Sequence, residues 1–151
     1  MHKYLNKEQA YDKCIINGNI TPRDRIDIEK IESTLEIAKD DFSFANEIKK
    51  KNKGYNALYN MYYNIIHLLV EAILRFDQIK VNNHQCLFAY LCVKHPELEL
   101  DWNFFEKIRT KRNGINYYGI PVSREDFKEI DLQINLYIKT LCEEIKRKLQ
   151  D

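Results

Sequence analysis

Apolar residues recur at intervals of three and four along much of the chain, which is the spacing of one buried face of an α-helix. Two long stripes follow this spacing: Ile28, Ile31, Leu35, Ala38, Phe42 and Ala45, and then Leu58, Tyr62, Ile65, Leu69, Ala72 and Phe76. Four further apolar residues widen the second stripe: Met61, Ile66, Val70 and Ile73. We therefore expect the second long helix to lie at the centre of the fold.

Capping residues predict where the first helices begin and end. A short helix is expected over residues 7–17, with Asn6 as its N-cap and Gly18 as the left-handed residue beyond its end. Thr21 followed by Pro22 predicts the start of the first long helix, because threonine caps helices and proline suits the first helical position.

The remaining segments complete a helical pattern. Residues 79–83 are interpreted as a turn, and residues 84–93 as a shorter apolar helix that Pro96 closes. Asp101 and Ser123 are the expected N-caps of the last two helices. Long amphipathic helices with short connections predict an all-α fold, an antiparallel, up-and-down bundle of four to five helices.

Length and composition agree with one helical domain. The 151 residues have the length of a single domain, 1–151, whose bundle spans 21–149. Four glycines and three prolines are few for the turns of an all-β fold. The 24 basic residues nearly balance the 23 acidic ones, so the net charge of +1 indicates no partner. The basic run at residues 49–54 is interpreted as a solvated loop or a frayed helix end.

Cellular location and metal content are inferred from what the sequence lacks. No apolar stretch reaches the ~20 residues that cross a bilayer, and the amino-terminal residues resemble no secretion signal. We therefore expect a cytoplasmic protein without a membrane partner. In that reducing compartment the four cysteines, Cys14, Cys86, Cys92 and Cys142, are expected to be free thiols. Their spacing matches no metal site, so neither a metal nor a cofactor is predicted.

Polar residues gather on one side of the fifth predicted helix. Five of them fall within an arc of roughly 140° on a helical projection: Arg109, Arg112, Asn113, Asn116 and Tyr117. Guanidinium groups bind phosphate oxygens in pairs, amides donate and accept, and a tyrosine ring stacks on bases. This face predicts phosphate or RNA binding by Arg109, Arg112 and Asn116. Alternatively, the cations only complement the helix dipole, which is worth about 0.3–1 kcal/mol.

Gly114 lies inside the same predicted helix. An interior helical glycine costs about 0.5–1 kcal/mol relative to alanine, so we interpret it as a place where another backbone or a ligand approaches closely. A twin subunit is one such neighbour, since two-fold homodimers are the commonest assemblies.

The segment Arg112-Asn113-Gly114-Ile115-Asn116-Tyr117 precedes a turn and the last long helix. It resembles the Arg-Asn-x-x-x-His motif of HEPN domains. Residues 37–45, 57–63 and 71–74 also resemble the first two core helices of that family, and the similarity spans residues 21–149. The resemblance implies an all-α bundle that pairs as a homodimer, with two copies of the motif in one cleft. Many HEPN proteins are metal-independent ribonucleases, often toxins whose antitoxin is a small nucleotidyltransferase.

The resemblance also assigns roles to single residues. Arg112 would hold the scissile phosphate and Asn113 would orient the site. Tyr117 stands where the family has its proton-carrying histidine. The implied catalytic set is therefore Arg112, Asn113 and Tyr117, while His67 or His84 would have to be brought in from elsewhere in the dimer.

These observations favour a dimeric, HEPN-like protein that binds a nucleotide or RNA through Arg112. It would belong to a toxin–antitoxin or nucleotidyltransferase-linked system. The alternative is an active, metal-independent endoribonuclease toxin, and a further alternative is a non-catalytic helical adaptor. The binding function is favoured over RNA cleavage because Tyr117 replaces the motif histidine. Loss of a general base typically lowers the catalytic rate by a factor of about 10²–10⁴.

Overall fold

Six α-helices, a short 3₁₀ helix and a two-stranded sheet make up residues 4–151, the part of the chain that the computed structural model describes. The helices are α1 (Lys7–Ile16), α2 (Ile28–Lys49), α3 (Tyr55–Phe76), α4 (His84–Lys94), α5 (Trp102–Tyr118) and α6 (Arg124–Leu149). The strands are β1 (Ile20–Pro22) and β2 (Ile79–Val81), and the 3₁₀ helix covers Pro96–Leu98. The prediction of an all-α helical bundle is confirmed. None of these helices is both long enough and apolar enough to cross a membrane.

Helix α3 lies at the centre of the bundle, between α2 and α6. Five of the six residues in its apolar stripe are completely buried, as the sequence predicted, and Phe76 packs at the edge of the core. Asn56 at the start of α3 accepts a hydrogen bond from the backbone of Val122, just before α6. Near the other end, the Lys148 ammonium lies 5.8 Å from the centre of the Phe76 ring. Helices α3 and α6 therefore run in the same direction.

The predicted caps are present at three helix starts. Asn6 accepts from the backbone of Gln9, and the Gln9 side chain accepts from the backbone of Asn6. At the start of α5, the Asp101 side chain accepts a single hydrogen bond from the backbone of Asn103. Ser123 and its partner at the third helical position form a second reciprocal pair at the start of α6. These hydrogen bonds satisfy backbone donors that a helix start leaves free.

Two of the predicted local structures are wrong. Thr21 and Pro22 do not begin a helix; they lie in β1, which pairs antiparallel with β2. The predicted turn at residues 79–83 likewise contains β2. Helix α2 begins later, where the side chain of Asp27 accepts from the backbone of Lys30. Strands of three residues are too short for an alternating pattern, so nothing in the periodicity distinguishes β1 from a helix start.

The expectation of four free thiols is also wrong, because Cys14 and Cys86 form a disulfide. Helix α1 packs along α4, and this packing brings a residue of the last half of α1 to the first turn of α4. The two cysteines are 72 positions apart, so local spacing carries no trace of their pairing. Cys92 and Cys142 are free and buried, as predicted.

His95 lies between two carboxylates at the end of α4. Its Nε2 is 2.6 Å from the carboxylate of Asp77, and its Nδ1 is 3.0 Å from that of Glu97. Tyr90 also donates to Asp77. The hydrogen bond with Asp77 raises the pKa of His95 in spite of the burial of the ring. This cluster joins the ends of α3 and α4.

We expect the disulfide to contribute about 4 kcal/mol to the free energy of unfolding, since it closes a loop of 72 positions. Alkylation of the denatured, unreduced protein should label two cysteines, Cys92 and Cys142, and prior reduction should allow all four to be labelled. Urea denaturation with and without dithiothreitol measures the stability difference. Four labelled thiols without reductant would contradict the pairing of Cys14 with Cys86.

Candidate functional site

Helix α5 presents two different faces. Phe105 stacks on Phe88 of α4, with ring centres 4.6 Å apart, and Phe104 packs edge-on against Tyr137 of α6. Ile108 is completely buried on this apolar side. On another side of the helix, Arg112 and Asn116 contact Tyr63 and Asn60 in the first half of α3.

Arg112 is the residue that connects the groups of this region. Its guanidinium carbon lies 5.3 Å from the centre of the Tyr63 ring and 5.5 Å from that of Tyr117. One terminal nitrogen donates to the Asn113 side chain and to the Tyr117 hydroxyl, at 3.2 and 3.3 Å. Its Nε is buried and has no hydrogen-bond partner. Within residues 4–151 no carboxylate lies within 4.0 Å of this guanidinium, so its charge is not neutralised by an ion pair.

Two histidines lie beside the Arg112 position. The hydroxyl of buried Tyr63 is 2.9 Å from Nδ1 of His84. The ring of His84 packs on that of His67, with centres 4.3 Å apart. His67 is in turn 3.8 Å from the carboxylate of Glu71, one turn further along α3. The site therefore combines residues of α3, α4 and α5.

Burial and charge keep both imidazoles neutral. Desolvation lowers the pKa of His67 to about 4, and the positive charge of Arg112 acts in the same direction. Desolvation, His67 and Arg112 together lower the pKa of His84 to about 4. Burial also raises the pKa of Tyr63, so its phenol keeps its proton and donates it to Nδ1 of His84. The ring proton of neutral His84 then resides on Nε2, which is a hydrogen-bond donor.

The other two predicted phosphate ligands are already engaged. Arg109 donates two hydrogen bonds to Glu106, at 2.9 and 3.0 Å, and Gln85 donates to the same carboxylate. Asn116 and Asn60 of α3 form a reciprocal pair of amide hydrogen bonds, at 3.1 and 3.3 Å. Of the predicted site residues, the structure thus brings Arg112, Asn113 and Tyr117 into direct contact, whereas Arg109 and Asn116 bind other protein groups.

Gly114 does not require an outside neighbour. The chain reverses at Gly119, whose φ is +64°, and the backbone of Ile120 donates to the carbonyl of Gly114. A Cβ at position 114 would lie 3.6 Å from the Ile120 side chain, an ordinary van der Waals contact. The expectation that another backbone or a ligand covers Gly114 is therefore not supported, because its own chain covers it.

The exposed surface next to Arg112 is aromatic and apolar. Tyr117, Tyr118 and Ile120 expose 66, 74 and 59% of their surface. All three lie at the carboxyl end of α5 or directly after it. Isolated exposed apolar residues are common, but a group of three beside an unpaired cation is typical of a binding surface.

Tyr63, which contacts both Arg112 and His84, is not identified as a site residue by the sequence. Tyr63 and His67 are four residues apart on α3, so helical spacing places them on one face. Their proximity to Arg112 depends on how α3 packs against α5, which no local pattern contains. In the part of the chain described here, no group of three or more histidine, cysteine, aspartate or glutamate residues is arranged to hold a metal ion.

Comparisons with known proteins found no matching family model, no matching curated protein and no matching solved structure. The residues around Arg112 are consequently the basis on which a function can be inferred.

The two site histidines are expected to remain uncharged down to about pH 5, since their pKa values are about 4. In Arg112→Met both pKa values should rise, because removal of a positive neighbour favours protonation, but burial should keep them below 6.5. NMR titration of the imidazole nitrogens measures this. His95, whose pKa is raised by Asp77, is the internal control and should not respond. Unchanged pKa values of His67 and His84 in Arg112→Met would contradict the described geometry.

Proposed function

We propose that this protein binds phosphate groups of RNA or of a nucleotide through Arg112, as a HEPN-like homodimer. The observation that carries the proposal is the guanidinium of Arg112, fixed on the rings of Tyr63 and Tyr117 with no carboxylate in reach among residues 4–151. A partly buried cation without a counter-ion is unfavourable, and a bound anion relieves that cost.

The neighbouring groups suit a phosphate. His84 offers an Nε2–H donor that carries no charge, and Asn113 holds one terminal nitrogen of Arg112 in place. The exposed ring of Tyr117 offers a surface on which a base can stack. Arg112 supplies the charge and the other groups supply orientation.

A homodimer is part of the proposal for two reasons. The exposed group Tyr117, Tyr118 and Ile120 is the type of surface that protein interfaces bury. A two-fold axis beside it would also place two copies of Arg112 in one cleft, as the HEPN resemblance implies.

A toxin–antitoxin or nucleotidyltransferase-linked role and a cytoplasmic location rest on the resemblance and on the sequence alone. In the cytoplasm, glutathione and thioredoxin reduce most disulfides. The buried Cys14–Cys86 pair would then have to resist reduction or alternate between two redox states.

The binding proposal predicts that Arg112→Ala weakens binding of a short oligoribonucleotide by tenfold or more, since a charge-assisted hydrogen bond is worth about 1.5–3 kcal/mol. The affinity of the unaltered protein should fall with salt. Fluorescence anisotropy with a 5′-labelled oligonucleotide measures both effects. Lys107→Ala is the matched control: it removes one positive charge from the same helix, and that charge is paired with Glu129.

Three outcomes would count against parts of this proposal. Equal affinities of Arg112→Ala and the unaltered protein would remove Arg112 from the site. Sedimentation that shows only monomers, with binding intact, would remove the shared cleft. Complete absence of RNA and nucleotide binding would leave a non-catalytic helical adaptor as the remaining function. Thermal denaturation of each variant verifies that it is folded.

A second candidate function is metal-independent RNA cleavage. It is favoured by the imidazoles of His67 and His84, which supply the proton carriers that the Arg112–Tyr117 segment lacks. Neutral His67 would accept the proton of a ribose 2′-hydroxyl as its oxygen attacks the adjacent phosphorus. The bond from phosphorus to the 5′-oxygen would break, and the 5′-oxygen would leave as a hydroxyl after taking a proton from water, giving a 2′,3′-cyclic phosphate. Arg112 would stabilise the negative charge of the transition state.

Cleavage by this mechanism should proceed in EDTA and should be abolished in Arg112→Ala. In His67→Gln the rate should fall by about 10²–10⁴. Because His67 acts in its neutral form and its pKa is about 4, the rate should be constant from pH 8 to about 5.5 and should fall towards pH 4. Gel analysis of a labelled RNA measures the rate, with Lys107→Ala again as the control. Cleavage that persists in Arg112→Ala would exclude this mechanism.

A further inference from the structure

Two further arginines without an ion-pair partner in residues 4–151 lie at the opposite end of α3 from the Arg112 site. Arg23, which follows β1, and Arg75, in the last turn of α3, line one shallow cleft. The Nε of Arg23 donates to the carbonyl of Ile79 at 3.2 Å, which fixes the side chain and leaves its terminal nitrogens available. No carboxylate within residues 4–151 lies within 4.0 Å of either guanidinium.

The electrostatics of this pair favour an anion. Burial lowers the pKa of Arg23 and the charge of Arg75 lowers it further, although Glu71 opposes this. Two like charges held in one cleft repel each other unless a negative group lies between them. Asp24 and Asp27 also line the cleft, and Asp27 forms its ion pair, at 3.7 Å, with the exposed guanidinium of Arg25.

A row of side chains along α3 connects the two sites. Tyr63, His67, Glu71 and Arg75 follow one another at intervals of four residues. Each step turns by about 40° around the helix axis, so neighbouring members are adjacent while Tyr63 and Arg75 are rotated by about 120° from each other. The ring of Tyr63 contacts the Arg112 guanidinium, and Arg75 lines the cleft that also contains Arg23. Twelve residues separate these two levels, which is about 18 Å along a helix. Glu71 lies between them, so they form two separate anion sites instead of one continuous basic groove.

We propose that Arg23 and Arg75 form a second phosphate site, and that the ligand of the Arg112 site is a single-stranded RNA of at least five nucleotides. At about 3.4 Å per nucleotide in a stacked strand, five or six nucleotides cover the ~18 Å that separates Tyr63 and Arg75 along the helix axis, and the rotation between these residues makes this a minimum length. Proteins commonly hold single-stranded nucleic acid in a positively charged groove that follows its sugar–phosphate backbone, and arginine guanidinium groups bind the phosphate oxygens in pairs. This inference rests on the proposed binding of phosphate by Arg112.

Two phosphate sites on one strand predict a length-dependent affinity. The affinities of oligouridylates of 2, 4, 6, 8 and 12 nucleotides are measured by anisotropy competition. The affinity should increase about tenfold between four and eight nucleotides. Arg75→Gln should abolish this increase and leave the affinity of the dinucleotide unchanged. It should also reduce the salt dependence of the 12-mer by about 0.7 for each phosphate that the variant no longer neutralises.

Two control variants keep the test specific. Arg25→Gln removes a charge from the same cleft, but Arg25 is largely exposed and already near Asp27, so it should leave the increase intact. Arg75→Lys retains the charge without the fork, so the salt dependence should persist while part of the affinity disappears. Thermal denaturation verifies the fold of each variant.

The outcomes separate the two proposals. An unchanged length dependence in Arg75→Gln, or an equal loss of affinity in Arg25→Gln, would overturn the second site. If Arg112→Ala has no effect on any ligand while Arg75→Gln still weakens the 12-mer, the Arg112 proposal fails and the inferred strand between two sites fails with it. If Arg112→Ala weakens the binding of oligonucleotides of every length and Arg75→Gln weakens the binding of none, only the second site fails.

Discussion

The contact between the Arg112 guanidinium and the Tyr63 ring determines where every other group of the site lies. Tyr63 is completely buried in the central helix, so the core of the bundle fixes one side of the cation. The same tyrosine orients His84 through its hydroxyl, and His84 packs on His67. A cation–π contact is worth about 0.5–2 kcal/mol, depending on desolvation. Its larger effect here is positional, because it connects a polar helix face to the hydrophobic core.

The parts of the fold that the sequence predicts are those with a local cause. The stripe from Leu58 to Ala72 determines a buried helix face within five turns, and the side chain of Asn6 caps the helix that begins at the next residue. The β1–β2 pairing and the Cys14–Cys86 disulfide join residues about 60 to 70 positions apart. Such pairings arise from the packing of helices that are already formed, so local periodicity contains no information about them.

The same division applies to the site. Arg112, Asn113 and Tyr117 lie within two turns of α5, so helical geometry predicted their proximity. The engagement of Arg109 by Glu106 was also within reach of the sequence, because the two residues are three positions apart. The pairing of Asn116 with Asn60 of α3 was not, nor was the position of the two histidines. These contacts depend on the relative placement of α3, α4 and α5.

The hydrogen bonds of His95 with Asp77 and Glu97 make the stability of the bundle depend on pH in a range where the charge of the Arg112 site does not change. A raised pKa means that the folded protein holds the His95 proton more tightly than the unfolded chain does. This stabilisation is complete below the unfolded pKa of about 6.5 and is lost as pH rises through the higher folded value. His67 and His84 stay neutral throughout that interval. Mild acidification therefore strengthens the contact between His95 and Asp77, which joins the ends of α4 and α3, while the charge around Arg112 stays constant.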